Sequence, residues 1–114
     1  MTRRAMDFLR QAKASGQPWC LHLSYIKPHW PYIVPAPYHA LYGPADVLPV
    51  VRDAAERADP HPLLHAFQQE RWSTVFSRPG ARETVIPAYM GLIKQIDDQL
   101  GLLFDFMADE QLLA

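Results

Sequence analysis

WCLHLSYIKPHWPY, residues 19 to 32, is the stretch whose reading decides the fold. From Pro18 to Ile26 the run is aromatic and aliphatic, uncharged and too short for a helix. Those features predict an inner strand of a mostly parallel sheet over residues 18 to 26. Strand alternation would place Trp19, Leu21, Leu23 and Tyr25 on one side, and Cys20, His22, Ser24 and Ile26 on the other. Pro28, Pro31, Pro35 and Pro37 then forbid a helix or central strand as far as residue 37.

Helical patterns lie on either side. Residues 3 to 15, RRAMDFLRQAKAS, hold strong helix formers with Ala5, Met6, Phe8, Leu9 and Ala12 near one face, and Gly16 and Pro18 stop them. The clearest element covers residues 83 to 108. There Tyr89, Leu92, Ile93, Ile96, Leu100, Leu103, Phe104 and Met107 form a stripe, with helical hydrogen bonding expected to begin near Pro87. Between them, residues 27 to 82 read as a proline-rich loop and insertion. It carries a short turn near residues 38 to 41, a turn or two of helix before Pro60, and a helix from residue 63 to 76.

One strand makes no sheet. A run buried on both faces needs neighbours that this chain does not supply, so the expectation is an internal segment of a larger α/β protein. An independent small helical domain with a solitary strand is the other physical option. With 11 Lys and Arg against 12 Asp and Glu, the charge is -1, which gives no electrostatic reason to expect nucleic acid or an anionic membrane as partner. No apolar run approaches the roughly 18 residues of a membrane span. The compartment stays open, with the cytoplasm as default. The single cysteine, Cys20, permits neither an internal disulfide nor a Cys-rich zinc site.

The segment CLHLSYIKPHWPYIVPAPYHALY, residues 20 to 42, resembles the central strand and loop of the sulfatase family, in the pattern FxLSxxxPHxPxxxPxxY. AYMGLIKQIDDQLGLLFDFM, residues 88 to 107, resembles the helix that follows in that family, which belongs to the alkaline-phosphatase-like superfamily and includes phosphonate monoester hydrolases. The resemblance implies a fragment of an alkaline-phosphatase-like α/β sandwich from a hydrolase of sulfate, phosphate or phosphonate esters. It implies a divalent cation, calcium, magnesium or manganese, for a full-length member and none for this segment. The nucleophile motif, Cys or Ser followed by x-Pro-x-Arg, is absent, and the family's metal ligands lie outside the matched region. The implied partners are an anionic ester substrate and the remainder of the catalytic domain, with oligomerisation possible.

Within that frame His29 is the chief candidate. An imidazole at the carboxyl edge of a parallel strand can donate to an ester oxygen as charge develops, and the resemblance places His29 at the histidine that contacts such oxygens. The bland account is a loop histidine capping a neighbour. Lys27 could attract an anion or stand in solvent. Trp30, with Tyr32, could wall a pocket or pack on the long helix. Cys20 and His22 invite a nucleophile–base pair, but no third group orients them, and a small buried cysteine is the simpler reading. His39, His61 and His65 with Asp53, Asp59 and Glu70 lack zinc-site spacing. Asp97 is expected to bond the insertion, and Gly101 to admit a close backbone. The rival to an enzyme segment is a truncated or degenerate sulfatase-like module for packing or interaction.

Overall fold

The computed structural model describes residues 1 to 51 and 53 to 113. Among the described residues five α-helices follow one another: α1 (Thr2–Ser15), α2 (Ala55–Ala58), α3 (Pro62–Gln69), α4 (Arg71–Phe76) and α5 (Ala81–Asp109). Two single-turn 3-10 helices, Tyr38–Ala40 and Pro44–Asp46, lie between α1 and α2. Among the described residues there is no strand and no sheet. The fold is therefore not a fragment of a mostly parallel α/β sandwich. A strand exists only when its backbone is paired, and no backbone–backbone hydrogen bond engages an N–H of residues 18 to 26.

The α1 helix ends as its sequence dictates. Gly16 takes the left-handed conformation at φ 64°, and its N–H donates to the Lys13 carbonyl. The α5 helix begins earlier than Pro87 suggests. Its 29 residues start at Ala81, just after a left-handed Gly80, and put Pro87 inside the helix, where it is buried. The long helical register on both sides outweighs the one hydrogen bond that proline removes.

The core is small. Ala5 and Leu9 of α1 meet Leu103 and Phe106 of α5, and Leu21 and Leu23 of the extended segment pack against them. Phe106 fills the place expected of Phe104, which is instead 54% exposed. Arg10 lies 4.7 Å over the Phe106 ring, and Lys13 reaches the Glu110 carboxylate at 3.1 Å, closing the exposed end of this helix pair.

A second attachment ties the insertion to α5. A β-carbon at Gly91 would fall 2.6 Å from the Tyr38 carbonyl oxygen and 3.1 Å from a Val34 methyl, so only glycine lets the 3-10 turn sit this close. The close approach expected at Gly101 occurs here instead; a β-carbon at Gly101 meets nothing within 4 Å.

The two glycines should therefore respond oppositely to alanine. Gly91→Ala should destabilise the chain by about 1–3 kcal/mol, because a backbone atom must move. Gly101→Ala should stabilise it by up to about 1 kcal/mol through helix propensity. Urea denaturation followed by circular dichroism measures both.

Candidate functional site

The extended segment is two-faced. Its inward residues Leu21, Leu23 and Tyr25 are half-buried, and the intervening Cys20, His22, Ser24 and Ile26 are exposed. The Thr2 hydroxyl, itself buried, donates to the Gln99 side-chain oxygen at 2.7 Å. That commits its proton, so the Tyr25 hydroxyl at 2.8 Å is the donor to Thr2. These bonds pin the inward face to both helices, and nothing among the described residues covers the outward one. Cys20 is consequently exposed, not the buried cysteine expected. Burial on that side would have required the missing sheet neighbours' own helix layer.

After Ile26 the chain turns, with the His29 N–H donating to the Ile26 carbonyl at 3.0 Å. The His29 ring places Nδ1 2.8 Å from the Trp30 carbonyl oxygen. A carbonyl only accepts, so Nδ1 carries the proton there. The Lys27 ammonium donates to the Pro31 carbonyl. Both side chains thus turn onto their own loop. Trp30 leans edge-on against Trp72, with centroids 5.7 Å apart, and Tyr32 contacts Phe76 and Tyr89 in the same manner. These rings line an apolar cleft of about 250 Å³ formed by Trp30, Tyr32, Trp72 and Phe76. Lys27 borders a different cleft of about 260 Å³ beside Thr2, Tyr25 and Gln99. His29 lines neither, so the three expected site residues do not converge on one cavity.

A polar constellation that sequence reading missed lies on α5. The Tyr38 hydroxyl donates to the Asp98 carboxylate at 3.0 Å, and the Lys94 ammonium donates to the other carboxylate oxygen. Asp98, not Asp97, is therefore the aspartate that bonds the insertion; Asp97 points to solvent, 3.7 Å from Lys94. The spacing of Lys94 and Asp98 by four was a legible helix-pair signal, but its partner at Tyr38 is 60 residues away. Hydrogen bonds from Lys94 and then Tyr38 hold the Asp98 carboxyl below its ordinary range. The same bonds to Asp98 raise Lys94 and Tyr38 above theirs.

No group of three or more His, Cys, Asp or Glu side chains among the described residues could hold a metal ion. His61 is occupied otherwise, its ring accepting from the Leu63 N–H at the start of α3. A divalent cation is thus an inference for a full-length relative only. These findings correct the functional expectation as well as the fold. A hydrolytic segment of the expected kind needs its histidine at a sheet edge, facing the substrate oxygens. Among the described residues there is no sheet and no ligand cluster, and the His29 ring is bonded to its own neighbour. The hydrolase, sulfatase and metal-dependent expectations conflict with the helical arrangement, free of any metal-ligand cluster, of the described residues.

No family model matches the sequence. It is 34% identical over 120 residues to the multifunctional alkaline phosphatase superfamily protein PehA of Trinickia caryophylli, across 93% of this chain and 23% of that protein. It is 26% identical over 113 residues to the uncharacterized sulfatase YidJ of Escherichia coli, across 97% of this chain and 22% of that protein. The chain spans less than a quarter of either relative's length. It is distantly homologous to alkaline-phosphatase-superfamily and sulfatase proteins, a link at the level of the superfamily.

Two measurements test the geometry. The exposed Cys20 thiol should react fully with a thiol reagent in the native protein, without denaturant; a protected thiol would mean the outward face is covered. The depressed Asp98 should add stability that is present above the usual carboxylate range near pH 4 and lost as pH falls. The raised Tyr38 and Lys94 should add stability present below about pH 10 and lost as pH rises. Asp98→Asn should flatten both limbs of the urea-midpoint profile.

Proposed function

We propose that this chain serves as a non-enzymatic packing and interaction module derived from the alkaline-phosphatase superfamily. One observation carries the reading: the extended segment is covered on a single face, and its other face and its backbone edges stand open. Surface area agrees. The chain exposes 9094 Å², whereas a compact protein of its mass exposes about 6,300 Å². Its radius of gyration is 20.4 Å, against about 13 Å for a compact chain of this length. The excess area exceeds the roughly 800 Å² that one partner contributes to a standard interface.

The exposed surface has the right composition for this role. Ile26, Trp30, Ile33 and Trp72 are each more than half exposed, an arrangement that favours burial against another polypeptide. Lys27, His29 and Trp30 then act by shaping the loop that borders this surface. The partner is polypeptide, whether further sequence of a longer protein or another chain.

The decisive assay is catalytic. The chain should show no turnover of p-nitrophenyl sulfate, p-nitrophenyl phosphate or p-nitrophenyl phenylphosphonate with calcium, magnesium or manganese present. His29→Ala should change nothing. Turnover that disappears in His29→Ala would overturn the reading.

A further inference from the structure

We draw no further inference here: the strongest candidate, the aromatic cleft of about 250 Å³ that Trp30 and Tyr32 of the loop form with Trp72 and Phe76 of α4, is an unpartnered apolar face, and nothing in the structure shows what covers it.

Discussion

An extended backbone carries its hydrogen-bonding groups sideways, where a helix packed above or below it cannot reach. That constraint governs this molecule. The α1 and α5 helices supply everything side chains can supply to residues 18 to 26: apolar contact for Leu21 and Leu23, and a hydrogen-bonded anchor at Tyr25. They supply nothing to the N–H and C=O groups between. The segment is held straight and left unpaired, and each open feature of the chain follows from it: the exposed cysteine, the small core, the excess of surface.

The rest of the structure is organised by two attachments to one helix. At its C-terminal half α5 meets α1 through Leu103 and Phe106. Nearer its start it meets the insertion through Gly91, where the absence of a side chain admits the Tyr38 backbone, and through Asp98, which accepts the Tyr38 hydroxyl. The same tyrosine is thus fixed at its carbonyl and at its hydroxyl, 7 positions apart along α5. Steric fit and hydrogen bonding select one placement of the turn, so the loop bearing His29 is tethered at residue 38 and at residue 25. Between the tethers its side chains satisfy the loop's own carbonyls.

Legibility in the sequence followed the range of the interaction. Residues 3 to 15 announced α1 because helix formers, an apolar stripe and Gly16 are all local. The stripe from Leu92 to Leu103 likewise announced α5, whose start at Ala81 lies two residues before the expected 83, although the sequence points to helical hydrogen bonding only from near Pro87; a proline's cost is weighed against a whole helix. The alternation is legible in the sequence as side-chain facing, and the structure has it from Cys20 to Ile26, while Trp19, expected on the inward side, is exposed. Pairing is not legible locally, because it depends on partners elsewhere, so a strand pattern does not by itself make a strand. Local spacing points to Asp97 and Gly101 where Asp98 and Gly91 act, because both contacts are with Tyr38, which no local spacing encodes.

The homology and the geometry bear on different things. Two distant relatives share this stretch almost from end to end, which shows that the pattern of residues is inherited within the superfamily. Inheritance of a pattern preserves packing first, because an apolar face with a helix behind it stays useful wherever it is buried. Chemistry is more demanding: it needs groups brought together from separate parts of a fold. In this chain Lys27 and His29 bond carbonyls of their own loop, and the acidic and histidine side chains do not gather. Residues 18 to 26 instead keep what packing alone requires, apolar contact at Leu21 and Leu23 and the anchored hydroxyl of Tyr25.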